Sequence, residues 1–186
     1  MLTQRHICRA LLALLVSGFS LAQSYAQTAL SEGQLKAALV LNFARYIEWP
    51  ENALGATTEP ANVCMIGRDT LGGALSSLET KLLYGRAIKV KIAMTIEDTR
   101  GCHVLFISES EERRLVPILK SLADKPVLTV SDISGFAESG GAIGIVQGET
   151  RLQFEVNRKT LDTAKLKASS NLLKLAKNLS ENAGKN

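Results

Sequence analysis

The sequence predicts an α/β fold, a three-layer α/β/α sandwich around a mostly parallel sheet of about six strands. Two observations lead to this prediction. Short apolar segments alternate along the chain with longer segments of helical spacing, which is the pattern of parallel strands joined by helices on both faces of a sheet. Near the end of the chain, the apolar segments Ile143–Val146 and Leu152–Asn157 are separated by a short turn-like stretch, so an antiparallel terminal hairpin should close the sheet.

Each element follows from spacing and from start and stop residues. Ser31–Trp49 has apolar residues at helical spacing, Ser31 can cap it, and Pro50 ends it. Ile88–Ala93 alternates apolar and basic residues, so this strand should have one solvated face and lie near an edge. The remaining predicted strands are Val63–Gly67, Cys102–Ser108 and Val127–Val130, and the remaining predicted helices are Asp69–Leu83, Glu109–Leu122, Leu161–Lys165 and Asn171–Asn178. Pro117 either kinks its helix or marks the true start.

The first 26 residues have the pattern of a secretory signal peptide. Arg5 and Arg9 precede the apolar run Ala10–Val16, and a small-x-small cleavage pattern ends at Ala26, with Ala22 as the rival site. The run is too short and wrongly flanked for a membrane anchor. We therefore predict a periplasmic protein exported through a cleavable signal peptide.

The rest of the chain has the length of one domain, predicted over residues 27–180, followed by a disordered tail over 181–186. The formal charge is +4 and the isoelectric point is near 9.0. Two of the arginines leave with the signal peptide, and no aromatic-basic motif is present. Nucleic acid is therefore not an expected partner, and no cofactor is expected.

Cys102 and His103 stand side by side at the start of a predicted strand, a pairing that invites a catalytic or metal interpretation. Neighbouring side chains of a strand point to opposite faces, so the pair is poorly placed for a catalytic dyad. A zinc site needs three or four ligands, and Cys64, Cys102 and His103 supply at most three without a usual spacing. The third cysteine, Cys8, leaves with the predicted signal peptide. The exported chain then keeps two cysteines, both at the starts of buried strands, which favours a Cys64–Cys102 disulfide.

Two loops are candidates for ligand binding. Gly67–Gly73 joins a strand to a helix and could hold an anion with Arg68, but it matches no phosphate-binding motif, and an ordinary turn is favoured. Ser131 and Asp132 lie at the carboxyl end of a predicted strand, where ligands gather in open α/β sheets. Capping of the next short helix is the favoured role for these two residues. His103 belongs at the opposite end of the sheet, so no catalytic triad can be assembled.

Six motifs occur in the order found in a known family. They are LNFARYIEWP, VCMIGRDTLGGAL, CHVLFIS, PVLTVSDISGFAESGGAIGIV, LQFEVN and LKASSNLLKLAKNL. This ordered set, from roughly Ala29 to Leu179, resembles the YfiR family of periplasmic proteins. The resemblance implies a non-enzymatic repressor that binds the periplasmic part of an inner-membrane diguanylate cyclase. It also implies a homodimer, and an outer-membrane lipoprotein that sequesters the repressor and so releases cyclic-di-GMP synthesis and biofilm growth.

By position, Cys64 and Cys102 match the family's disulfide. Family members can carry a second disulfide where this chain reads GFAESGGAIGIVQ, which contains no cysteine. We therefore expect Ile143–Val146 to be held by packing alone and any redox switching to rest on one bond. Leu166–Ser170 falls where the family has a ligand-accessible groove, for which Lys167 and Ser169 are the candidates.

Three functional hypotheses follow. The leading one is a repressor that acts by protein–protein contact, since the chain predicts a complete core without a catalytic constellation. The alternative is a periplasmic sensor module that binds a small molecule around Ser131, Asp132 and Lys167. An enzyme would need His103 near an acid in an open pocket.

Overall fold

A computed structural model describes residues 30–180 of the chain. The predicted signal peptide over 1–26, its two cleavage sites and the predicted tail over 181–186 lie outside the described residues. The α-helices are α1 (Glu32–Arg45), α2 (Leu115–Leu122), α3 (Arg158–Thr163) and α4 (Ser170–Leu175). The strands are β1 (Ile47–Glu48), β2 (Ala61–Ile66), β3 (Leu82–Leu83), β4 (Arg86–Ala93), β5 (Val104–Ile107), β6 (Leu128–Ser131), β7 (Ile143–Gln147), β8 (Leu152–Asn157), β9 (Lys167–Ala168) and β10 (Asn178–Ser180). Short 3₁₀ helices span Ala74–Thr80, Glu97–Thr99 and Glu109–Arg114.

Eight strands form one curled, mostly parallel sheet in the order β10-β8-β7-β6-β5-β2-β4-β3. The five strands from β7 to β4 are parallel to their neighbours, whereas β7 and β8 form the predicted antiparallel hairpin. A separate pair, β1 and β9, runs antiparallel. The α/β fold class is confirmed. The sheet has more strands than predicted because β3 and β10 add a short strand at each edge. β3 lies within the predicted helix Asp69–Leu83, and β10 begins at Asn178, where the last predicted helix was expected to end.

The two faces of the sheet carry different clusters of the core. Met65, Phe106 and Val130 pack on one face with apolar residues of α1, α3, α4 and the 3₁₀ helix Ala74–Thr80. Leu105 and Ile107 point to the other face, where they pack against α2. Because successive strand residues alternate between faces, β5 serves both clusters, which makes the sheet the middle of three layers.

Helix α1 starts where the sequence predicts and ends earlier. The Ser31 hydroxyl accepts a hydrogen bond from the Gln34 amide at 3.2 Å, and the Gln34 side chain accepts one from the Ser31 amide at 2.8 Å, which completes a capping box. The helix ends at Arg45 rather than Trp49, because Ile47 and Glu48 extend to pair with β9.

Two predicted helices are wrong in part. Within Asp69–Leu83, Gly72 and Gly73 have φ angles of 60° and 77°, which interrupt any helix, so a short 3₁₀ helix and β3 form instead. Within Glu109–Leu122, a 3₁₀ helix comes first and α2 begins at Leu115. Pro117 therefore lies in the first turn of α2, where no amide hydrogen is needed by the helix.

Candidate functional site

The disulfide expected between Cys64 and Cys102 is present. The two Cα atoms lie 5.9 Å apart across a sequence separation of 38, and both cysteines are buried. Cys64 lies in β2, and Cys102 lies just before the neighbouring strand β5. The bond therefore fixes the point at which the chain enters β5, and the Cys102 sulfur is not available as a nucleophile.

His103 has a structural role at the same place. Its Nδ1 accepts a hydrogen bond from the Asn62 amide at 2.8 Å, and its ring meets Trp49 edge-on with centroids 6.4 Å apart. Burial, followed by the positive charges of Arg86 and Lys91, lowers the pKa of His103 below its ordinary value. The hydrogen bond from the Asn62 amide uses Nδ1 as an acceptor, so this contact requires a ring without a proton on Nδ1.

A cleft of about 500 Å³ includes both His103 and Glu59, the combination that an enzyme would need. Its other lining residues, among those that the structure describes, include Lys89 and Lys91 but no serine, threonine or free cysteine. Nδ1 of His103 accepts a hydrogen bond from a backbone amide. The described lining residues of this cleft offer no hydroxyl or thiol that the ring could activate as a nucleophile.

The Gly67–Gly73 loop uses its own amides. The Asp69 carboxylate accepts hydrogen bonds from the Leu71 amide at 2.9 Å and the Gly73 amide at 2.5 Å. The Arg68 amide donates to the Ser110 hydroxyl at 2.9 Å. Because these donors are already paired, the loop has the arrangement of the ordinary turn that its sequence favours.

Ser131 and Asp132 have different partners. Ser131 is fully buried, and its hydroxyl donates to the Ile107 carbonyl at 2.6 Å and accepts from the Ile133 amide at 3.0 Å. Ser131 thus caps the turn that follows β6. Asp132 pairs with Lys36 at 2.7 Å, and Lys36 also meets Glu32 at 2.7 Å.

This ion cluster, Glu32, Lys36 and Asp132, joins the first turns of α1 to the carboxyl end of β6. Burial acts to lower the pKa of Lys36, but hydrogen bonds to Asp132 and Glu32 and the charges of both carboxylates raise it overall. The hydrogen bond from Lys36, followed by its charge, lowers the pKa of Glu32. Among the described residues, Oδ1 of Asp132 is buried without a hydrogen-bond partner.

Lys167 and Ser169 lie in a different place. Lys167 is opposite Glu48 in the β1–β9 pair, and the Ser169 hydroxyl caps α4 by accepting from the Leu172 amide at 3.2 Å. Lys167 also lines a cleft of about 250 Å³, the β9 groove, whose other lining residues are Arg158, Leu161, Asp162, Ala168 and Leu173.

The structure therefore separates the four candidate site residues into two pairs. Asp132 contacts Lys36 near the start of α1, whereas Lys167 pairs with a strand beyond the end of that helix. The nine residue-to-residue steps from Lys36 to Arg45 span roughly 13.5 Å along the helix axis. Lys36 was missed by sequence reasoning, because its spacing to Glu32 indicates an ordinary surface pair and its other partner lies far along the chain.

A second missed feature is the polar clamp, formed by Thr129, Asn157 and Thr160. The buried Asn157 side chain donates to the Ala137 carbonyl at 2.7 Å and accepts from the Thr160 amide at 3.0 Å. The Thr160 hydroxyl donates to the Gly140 carbonyl at 3.1 Å, and the Thr129 hydroxyl accepts from the Ala142 amide at 2.9 Å.

The polar clamp corrects one expectation. Ile143–Val146 is not held by packing alone, because the loop that leads into it is fixed by hydrogen bonds from three side chains, and β7 itself pairs with β6 and β8. The stretch GFAESGGAIGIVQ, which includes this loop, contains no cysteine. Hydrogen bonds hold it in this chain.

Two searches of residues 30–180 complete the description of the site. No group of three or more histidine, cysteine, aspartate or glutamate side chains in this range could hold a metal ion. No helix in the same range has both the length and the apolar character required to cross a membrane.

The comparison with known families is decisive for identity. A family model described as YfiR/HmsC-like matches residues 33–177, which run from α1 to the residue before β10. The chain belongs to the YfiR/HmsC-like family. This family is regulatory, non-catalytic and periplasmic, and it is associated with diguanylate cyclases.

Solved structures are similar at the level of the fold. A conserved domain protein from Vibrio cholerae O1 biovar El Tor has a TM-score of 0.50 and 8% identity, with 81% of this chain and 61% of that chain covered. The ABC domain in complex with L-Trp from Streptococcus pneumoniae has a TM-score of 0.48 and 9% identity, with 75% of this chain and 61% of that chain covered. The match spans about three fifths of the length of each of these two proteins.

Proposed function

We propose that this YfiR/HmsC-like chain represses an inner-membrane diguanylate cyclase by binding its periplasmic part, and so controls cyclic-di-GMP and biofilm formation. The observation that carries the proposal is the family match over residues 33–177, which includes both faces of the sheet and the β1–β9 pair. The signal-peptide pattern of the first 26 residues supports action in the periplasm.

The chemistry of the described residues is consistent with a role in binding rather than in catalysis. Cys64 and Cys102 are bonded to each other, and His103 serves the backbone of β2. Exposed apolar side chains, by contrast, cluster beside the end of α1, where Tyr46, Leu82 and Tyr84 are 43%, 56% and 52% exposed. The Tyr84 hydroxyl donates to the Arg45 carbonyl at 2.9 Å, which fixes the position of this surface. Aromatic residues on a fixed surface are typical of protein interfaces.

The remaining parts of the proposal come from the family resemblance. The chain forms a homodimer, and an outer-membrane lipoprotein sequesters it and thereby releases the cyclase. Because this chain lacks a second cysteine pair, redox control of the complex is confined to the Cys64–Cys102 bond.

Deletion of the gene, with measurement of cyclic-di-GMP, tests the function. We expect nucleotide levels and biofilm to rise, and a tagged full-length chain to recover a diguanylate cyclase from membranes. Returning the full-length gene to the deletion strain should restore repression. The matched control is the same chain without residues 1–26, which should stay in the cytoplasm and should not restore repression. Unchanged nucleotide levels together with recovery of no cyclase would refute the proposal.

A second candidate function is a small-molecule sensor at the β9 groove, which Lys167 and Arg158 line together with Asp162 and Leu173. This mixture of cationic and apolar side chains suits a small carboxylate with an apolar body. Calorimetric titration with such carboxylates should give a heat that is lost in Lys167→Gln. An equal heat in the variant, or none in the wild-type protein, would reject the groove as a ligand site.

A further inference from the structure

Strand β4 has strand partners on both sides, but the two partners pair with different parts of it. It pairs with β2 from Ile88 to Ala93, and with β3 only at Arg86 and Ala87. Within the part of the chain that the structure describes, no strand lies against the outer side of residues 88–93. The 3₁₀ helix Ala74–Thr80 packs against β4 and reaches the Val90 amide through Glu79, so the open part of this edge lies around Ile92.

The orientation of this edge follows from one hydrogen bond. The Val90 amide donates to the Glu79 carboxylate at 3.0 Å and so points away from β2. Because backbone groups alternate between the two sides of a strand, the amides of Ile88 and Ile92 point outward with it. Glu79 binds the Val90 amide, and a charged side chain in this position is a common protection of a sheet edge. The Ile92 amide is not bound by Glu79.

The side chains beside the edge have a marked pattern. Ile92 and Met94 are 54% and 76% exposed, although apolar side chains of this size are most often buried. Lys89 is exposed and Lys91 half-exposed, and they share the opposite face of the strand. One face of the open edge is therefore apolar at Ile92, and the other face is basic.

We propose that the outer edge of β4 around Ile92, past the point that Glu79 covers, accepts an extended segment of a partner protein as an added strand. Backbone hydrogen bonds to the outward groups would supply affinity, and side chains would supply specificity. A segment that alternates acidic and apolar residues fits best, because its carboxylates face Lys89 and Lys91 while its apolar side chains cover Ile92. The exposed side chains of Leu82 and Tyr84 extend this surface past the short strand β3.

The positive charges of Lys89 and Lys91 favour a different protein, rather than a second copy of this chain, as the partner that binds the β4 edge. Two β4 edges paired with each other would bring Lys89 and Lys91 of one copy against the same lysines of the other, and like charges across a strand pair are destabilising. The assignment holds whichever protein the chain represses, so its failure would leave the proposed function standing.

Amide hydrogen exchange on the purified, disulfide-bonded protein tests the edge. The probe is the peptide acetyl-Glu-Val-Glu-Val-Glu-Val-amide, with its lysine counterpart as control. At saturation we expect exchange of the Ile92 amide to slow at least about tenfold with the acidic peptide and to be unchanged with the basic one. No protection, or equal protection by both peptides, contradicts the proposal. Protection that appears without peptide and grows with protein concentration would assign the edge to a second copy instead.

Two variants separate edge pairing from general binding. Ile92→Pro removes an outward amide without touching the β2 ladder, and we expect it to weaken the acidic peptide by about tenfold or more. Ile92→Thr keeps that amide and should bind nearly as wild type. If the proline variant fails to fold, the Lys89→Glu and Lys91→Glu double variant decides the matter, because its preference should switch to the basic peptide. Unaltered preference in that variant overturns the proposal.

Discussion

Two strands of the sheet are entered through differently secured points. The chain enters β5 at Cys102, which is bonded to Cys64 in the neighbouring strand. It enters β7 through a loop held by the polar clamp of Thr129, Asn157 and Thr160. Both devices fix a loop at the amino end of a parallel strand, one by a covalent bond and the other by hydrogen bonds.

The difference lies in the state on which each device acts. A disulfide persists in the unfolded chain and stabilises the fold chiefly by restricting that chain, in the chain-entropy description. The polar clamp exists only in the folded state, where loss of one member leaves buried groups without partners. A reductant can therefore weaken the β5 side of the sheet, whereas the β7 side has no redox-sensitive group in the described residues.

Replacing both cysteines in Cys64→Ala/Cys102→Ala should have the largest effect. The separation of 38 residues predicts a loss of about 4 kcal/mol in the free energy of unfolding, measured by denaturant titration. The polar clamp should stay intact, so amide exchange in the loop before β7 should change only as much as global stability does. Selective loss of protection in that loop would show that the two devices are coupled.

Asn157→Ala should have the next largest effect. Its removal leaves the Ala137 carbonyl and the Thr160 amide without their side-chain partner inside the core, at a cost of about 3 kcal/mol. The control is Asn178→Ala, since Asn178 is exposed and its side-chain amide donates to the Glu155 carboxylate at the surface. Thermal unfolding of the oxidised proteins measures both, and similar losses in the two variants would remove the polar clamp as a source of stability.

Thr160→Val tests a single bond of the polar clamp. It removes the hydrogen bond to the Gly140 carbonyl but keeps the side-chain shape, so we expect about 1 kcal/mol of destabilisation. Thr160→Ser retains the hydroxyl and should recover most of that loss. A serine variant as unstable as the valine variant would mean that packing, rather than the hydrogen bond, is responsible.

Acidification should have the smallest effect, and it should act on the β5 side. The folded state lowers the pKa of His103 from its ordinary value of 6.5, so the unfolded chain takes up the proton first as the pH falls. The stability contributed by neutral His103 is present above that value and is lost progressively below it. His103→Gln removes the titration but keeps an acceptor, so its unfolding midpoint should depend less on pH between about 5 and 7. Identical pH profiles would exclude His103 as the cause.

These contrasts mark how far the sequence could predict the molecule. The sequence was sufficient to predict the strands β2, β5 and β6 and the β7–β8 hairpin, because buried strands contain local apolar runs. It was also sufficient to predict the disulfide, because only one pairing is possible for the two cysteines that follow the predicted signal peptide. The Lys36–Asp132 pair and the Asn157 contacts were not, because a hydrogen bond between distant segments leaves no periodic trace. The helix predicted over Asp69–Leu83 is wrong for a local reason. The prediction gave too little weight to Gly72 and Gly73, which interrupt the helix in the structure.

The β1–β9 pair joins Ile47, near the start of the described fold, to Ala168, near its end. During synthesis α1 and β1 are made early, but the strand that pairs with β1 is made near the end of the described range. The apolar side chains of α1, among them Val40 and Phe43, therefore complete their packing only after nearly the whole chain has been made. Folding of this protein is in consequence tied to completion of the chain, and a nascent chain that stalls before Lys167 leaves β1 unpaired as a target for chaperones and proteases.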